Sequence, residues 1–180
     1  MFDLRNVKIQ DINDIVQINE EAIPAVNSVS YDEFINFYKK KIYFKVAIDS
    51  NNIICGFLLV LPSGLDYQSL NYKWFTERYS NFAYIDRIAV KKNFRGLGIG
   101  KNLYLDLENS LDDFKMIACE FNIEPPNVIS KNFHESLNYQ NVGFQYTEND
   151  TKKVLNIVKE SFGNLNVNKS QGAMDFNLPL

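Results

Sequence analysis

Apolar positions recur along this chain at helical spacing in some stretches and as extended runs in others, and the changes between them mark out its elements. Leu4-Arg5-Asn6-Val7 is short and extended in character. It leads into a segment where Ile12, Ile15, Val16 and Ile18 return at helical spacing, with Asp11 placed to cap the start and Pro24 to stop it. Ser30 and Glu33 stand at capping-box spacing and predict a second helix to about Lys40. Tyr43 to Ile48 and Ile53 to Leu61 flank the turn-prone Asp49-Ser50-Asn51-Asn52, which predicts an antiparallel hairpin. Its second strand is apolar almost throughout and suits a strand buried on both faces. Residues 62 to 81, rich in Tyr, Ser and Asn and holding Trp74, predict a loop with a short helix. Phe82 to Val90 reads as a strand, Gly98 to Ser110 as an amphipathic helix with Leu103, Leu105 and Leu107, and Met116 to Phe121 as a strand. After Pro125-Pro126, a helix from Ser130 to Leu137 and closing strands at Phe144 to Thr147 and Lys153 to Val158 complete the pattern. The order β-α-α-β-β-β-α-β-α-β-β predicts one mixed α/β domain over 1–159 without internal repeat. An Asn-rich tail at 160–180 is expected to pack on the domain or on a partner subunit, as in a homodimer.

Length and charge narrow the function classes. With 180 residues, 46% of them hydrophobic, the chain can bury one substantial core and is too short for two ordinary domains. A formal charge of -3 offers no broad cationic surface, so nucleic acid is not the expected partner and any anion site must be local. Cys55 and Cys119 lie inside apolar runs, with no CxxC or Cys/His metal spacing, and read as reduced core thiols without a metal role. That usage, and first residues lacking a signal-peptide pattern or any membrane-length apolar run, set the expectation of a cytoplasmic protein with no membrane partner.

The local anion site is the run Arg95-Gly96-Leu97-Gly98-Ile99-Gly100 between a strand and a helix. Helix-start amides and the positive end of the helix dipole point outward there, beside glycines with no side chain in the way. Arg95, Lys91, Lys92 and Lys101 add positive charge. The glycine spacing is not GxGxxG and no GKS or GKT follows, so the dinucleotide and P-loop readings lack their required residues. A plain strand-to-helix turn would explain the glycines and leave Arg95 unexplained.

Arg95-x-x-Gly98-x-Gly100, following Ile88-Ala89-Val90 and opening an amphipathic helix, resembles the coenzyme A signature of GNAT acetyltransferases. A second segment, Asn127 to Tyr139, resembles the family's stretch in which an Asn precedes a helix carrying an aromatic-Tyr pair and ending in Gly-Phe. Here His134 stands at the Tyr position and Asn138-Tyr139 replaces Gly-Phe; Asn can adopt the left-handed conformation that Gly supplies at a helix end. Residues 24 to 27, 84 to 88 and 120 to 127 more narrowly resemble a bacterial GNAT subgroup without a settled substrate. The resemblance implies an acyl-CoA N-acyltransferase fold: a central, mostly antiparallel sheet with splayed middle strands, flanked by helices. It implies acetyl-CoA as co-substrate, its pyrophosphate on the amides of Arg95, Gly96, Leu97, Gly98, Ile99, Gly100 and Lys101. It places the pantetheine arm along the backbone of Ile88, Ala89 and Val90, in reach of Asn127, Ser130 and Phe133.

Acetyl transfer to an amine needs a neutral amine, a polarised thioester and a proton for the thiolate. By resemblance to ribosomal-protein alanine acetyltransferases, Glu120 matches the base, with a salt bridge to Arg87 or a lysine as the alternative. An acid in an apolar strand is costly unless it is paired or functional. His134, the single histidine, falls on the family's general-acid position; a contact to the coenzyme or plain packing are the alternatives. Asp86 falls where aminoglycoside acetyltransferases hold an acid near a cationic acceptor, and strand alternation pairs it with Ile88 on one face, Arg87 and Ala89 on the other. Tyr84, and the aromatics from Tyr67 to Trp74, are expected near the acceptor, a small-molecule or peptide amine. A CoA-binding sensor that has lost catalysis is the rival function.

Overall fold

Twelve strands and α-helices form in the computed structural model, which describes residues 2–147 and 151–160: the predicted series, with the short helix expected in 62–81 set between its third and fourth strands. They are β1 (Phe2–Asn6), α1 (Ile12–Glu20), α2 (Tyr31–Lys40), β2 (Tyr43–Asp49), β3 (Ile54–Pro62), α3 (Leu70–Thr76), β4 (Ala83–Val90), α4 (Ile99–Glu108), β5 (Met116–Glu124), α5 (Val128–Ser136), β6 (Gln140–Thr147) and β7 (Lys152–Glu160). The short helix of the 62–81 segment is α3. The tail expected at 160–180 lies outside the described residues apart from Glu160, which ends β7.

Local chemistry explains several boundaries. Ser30 Oγ accepts from the Glu33 amide and Glu33 accepts from the Ser30 amide, so the capping box at α2 forms. Asp11 does not cap α1 through its side chain. Its carboxylate instead accepts from the Lys8 amide at 2.7 Å and pairs with Arg5 at 2.6 Å, which ties β1 to the 3₁₀ turn that precedes the helix. Asn138 takes φ 63° after α5, the left-handed turn its side chain tolerates. In the hairpin, Asp49 Oδ1 accepts from the amides of Asn51 and Ile53.

The sheet runs β1-β2-β3-β4-β5-β7-β6, with β2 and β3 pairing as the predicted hairpin. All neighbours are antiparallel except β4 and β5, which run parallel and align at only Ala83↔Ile117 and Tyr84↔Ala118. Beyond those two pairs the strands part, which is the expected splay. β3 is buried on both faces along nearly its whole length. Leu103 and Leu107 of α4 and Leu137 beyond α5 cover one face, over Leu58, Ile85, Ile117 and Cys119. On the other face α1 and α2 cover β2 and β3 through Ile15, Phe34, Phe44 and Phe57. α3 covers β4, β5 and β7 through Tyr72, Phe75, Tyr84, Ala118 and Val158. Each fully buried Leu, Ile, Val or Phe among them contributes about 1.5–3 kcal/mol, so these clusters fix the sheet on which the site is built.

Candidate active site

The turn from β4 to α4 is shaped by backbone that few side chains tolerate. Gly96 has φ 79° and Gly98, the N-cap of α4, has φ 81°. A Cβ at Gly96 would meet nothing within 4 Å, so the loop backbone is open to a ligand. Arg95 Nε donates to the Val90 carbonyl at 3.0 Å, and Asn102 Nδ2 donates to the Gly98 carbonyl at 2.9 Å, pinning both ends of the turn. The amides of Ile99, Gly100 and Lys101 stand in the first turn of α4 and have no acceptor within their own helix. Exposed Leu97 lies beside them. A Cβ added at Gly100 would lie 3.5 Å from the Phe133 ring and 3.6 Å from Ile88 Cδ1, so α4 starts directly against α5 and β4. This open, positively poled turn fits a pyrophosphate, and the residues expected to hold it stand together.

The splay presents two different surfaces. On the α3 side, Glu120 is half-buried at the lip of β5. The Tyr84 hydroxyl lies 3.1 and 3.0 Å from its two oxygens, Asn71 Nδ2 donates to Oε1 at 2.7 Å, and Gln145 Nε2 donates to Asn71 Oδ1 at 3.0 Å. Among the described residues no ion pair involves Glu120, so the anticipated bridge to Arg87 or a lysine is not made. Burial pushes its carboxyl up to about 8; the Tyr84 and Asn71 hydrogen bonds oppose that shift, and the Asp86 charge adds to it. Asn156, the cross-strand partner of Glu120, is fully buried, and its Nδ2 has no hydrogen-bond partner.

Across the splay, β4 breaks its alternation. Its register against β3 shifts so that Leu59 faces Arg87 and Val60 faces Ile85, which leaves Asp86 in a bulge. Asp86 and Arg87 were expected on opposite faces; the bulge brings their side chains together at 2.6 Å, each only 3% exposed, and sends Ile88 into the cluster beneath α4. Asp86 Oδ1 also accepts from Tyr67 Oη at 2.7 Å. Both carboxylate oxygens of the expected amine anchor are therefore engaged within the protein.

On the α4 side, His134 is buried at 5% exposure and stacks on Phe121 with ring centroids 5.6 Å apart. Nδ1 lies 2.8 Å from the Ser130 carbonyl and Nε2 lies 3.0 Å from Tyr104 Oη. Those contacts define the neutral tautomer: Nδ1–H donates to Ser130 and Nε2 accepts from Tyr104. Burial lowers its pKa to about 4, against which the Ser130 hydrogen bond acts. Asn127 is the N-cap of α5, its side chain accepting from the Ser130 amide at 3.0 Å. Phe133 stands at a ring distance of 5.0 Å from Tyr104. Cys119 faces the same side, its thiol pushed well up by burial.

Asn71, Gln145 and Tyr104 are site neighbours that sequence reasoning does not reach. A polar residue in a helix or edge strand carries no local sign that it will meet a buried acid. Among the described residues no group of three or more His, Cys, Asp or Glu is placed to hold a metal, and no helix is long and apolar enough to cross a membrane.

A seven-stranded sheet that splays at its one parallel junction, beside a glycine turn opening a helix, is the architecture of the acyl-CoA N-acyltransferases. The chain belongs to the acetyltransferase (GNAT) family, whose model matches residues 12–139. It is thereby an acetyl-CoA-dependent acetyltransferase. Among solved structures, the Escherichia coli ribosomal-protein-S18-alanine N-acetyltransferase shares the fold at TM-score 0.68 and 13% identity, over 99% of this chain and 100% of that one. Chaetomium thermophilum Naa20 in complex with a bisubstrate analogue gives 0.70 and 19%, over 92% and 90%. Arabidopsis thaliana NAA60, also with a bisubstrate analogue, gives 0.70 and 15%, over 91% and 100%. Among curated proteins none matches the chain by sequence.

Proposed function

We propose that the chain transfers acetyl from acetyl-CoA to a primary amine, of a small molecule or a peptide, by direct attack within a ternary complex. The observation that carries this reading is Glu120: a carboxyl at the splay, in no ion pair among the described residues, raised to about 8 and held by Tyr84 and Asn71. Such a group takes a proton from an amine near neutral pH. Acetyl-CoA supplies a thioester carbonyl, and CoA leaves as a thiolate. Glu120 accepts the amine proton as the N–C bond forms and the C–S bond breaks, and that proton then passes to the sulfur or to solvent. The open amides from Gly96 to Lys101 would hold the pyrophosphate, the Arg95 amide itself donating to the Lys92 carbonyl, and the Ile88–Val90 edge of the splay would guide the arm, with Phe133 and the α5 start at Asn127 and Ser130 beside it. Asp86 and Tyr84 shape the acceptor side through their hydrogen bonds to Tyr67, Arg87 and Glu120.

Direct attack is favoured over an acyl-cysteine route because burial raises the Cys119 thiol, which leaves little thiolate. The neutral, internally bonded His134 supports a packing role beneath the site in place of a proton donor. That same engagement favours one second reading, a CoA-binding module with weak catalysis.

The two part in one experiment. Acetyl-CoA is incubated with a panel of amines while free thiol is measured, and CoA binding is followed by calorimetry. Thiol release with at least one amine, reduced about a hundredfold or more in Glu120→Gln, is the expected result. CoA binding with no acetylation across the panel favours the binding module, and absence of CoA binding overturns both.

A further inference from the structure

Glu120 ends a chain of side-chain amides drawn from α3, β6 and β7. Asn71 Nδ2 donates to its Oε1 at 2.7 Å, Gln145 Nε2 donates to Asn71 Oδ1 at 3.0 Å, and the same Nε2 reaches Asn156 Oδ1 at 3.5 Å. Asn156 is the register partner of Glu120 on one side and of Gly143 on the other, so it shares the carboxyl's face beside a neighbour with no side chain. From Gln145 to Asn71 to Glu120, each donor points toward the carboxylate. That direction serves the ionised acid and leaves Asn156 Nδ2, on a fully buried residue, with no acceptor among the described residues.

An orphaned buried amide costs free energy, and the chain run in the opposite sense removes that cost. A primary amide turned end for end fills the same space and exchanges donor for acceptor. With Glu120 protonated, its O–H donates to Asn71 Oδ1, Asn71 Nδ2 to Gln145 Oε1, and Asn156 Nδ2 to that same Oε1. Every member then has a partner. A base is charged before it takes its proton and neutral afterwards, and a lysine or arginine neighbour would fit only the first state. The Tyr84 hydroxyl, within reach of both Glu120 oxygens, can likewise donate to the carboxylate or accept from the acid.

We propose that Asn71, Gln145 and Asn156 are positioning residues for Glu120, a chain of amides that reverses direction when the carboxyl takes up a proton and so holds it in both states. This deepens the acetyl-transfer reading above and rests on it. The titratable and charged groups that face Glu120 are Tyr84, Asp86 and Arg87 of β4, with Cys119 next to it in β5 and Tyr104 of α4 acting through the sheet. Burial holds the Tyr84, Tyr104 and Cys119 groups well above their ordinary values, so a midpoint at about 8 belongs to Glu120.

Wild type labelled with 15N and 13C is titrated by NMR through the range that brackets a carboxyl at about 8, reading the three side-chain NH2 groups beside the Glu120 carboxyl carbon. All three amides move with the carboxyl's midpoint, Asn156 included although no hydrogen bond joins it to Glu120, and all three stay still in Glu120→Gln. Movement of Asn71 alone overturns the chain. Kinetics gives a second reading. Asn71→Leu removes a donor to the charged carboxylate, so the rising limb of kcat/KM moves up by about one pH unit and activity near pH 7 falls about tenfold. Asn156→Leu removes a donor that only the protonated state satisfies, so the limb moves down by about half a unit. Lys73→Ala, on the exposed side of α3, leaves the limb in place. A packing role alone would lower stability without opposite shifts, and shifts of the same sign, or none, overturn the proposal. Where Asn156→Leu does not fold, the wild-type titration decides. A wild type that binds CoA and acetylates no amine overturns the acetyl-transfer reading and with it the positioning role, while the titration still decides whether the chain reverses.

Discussion

Burial governs the Glu120 carboxyl, and two hydrogen bonds that favour its charged form recover only part of the shift. A base must be deprotonated to act, so kcat/KM is expected to climb with pH and level off above about 8, and Glu120→Gln to flatten that limb in the thiol-release assay. The same residue acts on stability with the opposite preference. Its folded pKa lies above the ordinary 4.5, so between about 4.5 and about 8 the folded state holds a proton that the unfolded chain has lost. Stability therefore falls as pH rises through that window. By pH 8, Glu120→Gln is expected to exceed wild type by at least about 1 kcal/mol in urea unfolding, with no gain near pH 4. His134 is the converse case, its folded pKa of about 4 lying below 6.5, so stability is lost as pH falls from 6.5 toward 4. His134→Phe removes the hydrogen bonds to the Ser130 carbonyl and the Tyr104 hydroxyl and costs about 1–3 kcal/mol at pH 7, a deficit that narrows in thermal melts toward pH 4.5. Glu120 was legible in the sequence because an acid inside an apolar strand is a local anomaly. Its partners were not, since Asn71 is 49 residues away and Gln145 reaches Glu120 only through Asn71.

At the scale of elements, hydrophobic rhythm and caps were enough to name the strands and helices, and the glycine turn announced itself by Arg95 and its spacing. The bulge in β4 was not legible. It is a property of register against β3, and strand alternation alone puts Asp86 and Arg87 on opposite faces. The reach of β6 back to Gln140 was also missed, because Gln140 to Gly143 has no apolar alternation and is ordered by pairing with β7. That stretch carries a packing device. A Cβ on Gly143 would stand 2.6 Å from the Trp74 ring, at φ 154°, so β6 and α3 touch where no side chain fits. Gly143→Ala must displace Trp74 and is expected to destabilise by about 1–3 kcal/mol in urea unfolding. It should also loosen Asn71, which shares α3 with Trp74, and lower kcat with little change in CoA affinity by calorimetry. Loss of stability with an unaltered kcat would detach α3 from the chemistry.

Across the whole molecule, the sheet is two antiparallel halves, β1 to β4 and β5 to β7, joined by two aligned residue pairs. An arm of the coenzyme lying in the splay would supply hydrogen-bond partners to lips that the sheet leaves apart, and so would join the halves at their weakest place. Ligand that binds only the folded state stabilises by mass action, about 2.7 kcal/mol at a hundredfold excess over Kd. A ligand confined to the glycine turn would raise stability equally while protecting only residues 95–101 from hydrogen exchange. One that enters the splay must also slow exchange at 85–90 of β4 and 119–124 of β5. Comparing CoA with a shortened analogue, 3′-phospho-ADP, separates the two by the length of the arm. Protection of both lips by CoA and of the turn alone by the analogue is the expected pattern. Identical patterns for the two ligands would mean that the arm runs elsewhere, and Glu120 would then lose its claim to the reacting end.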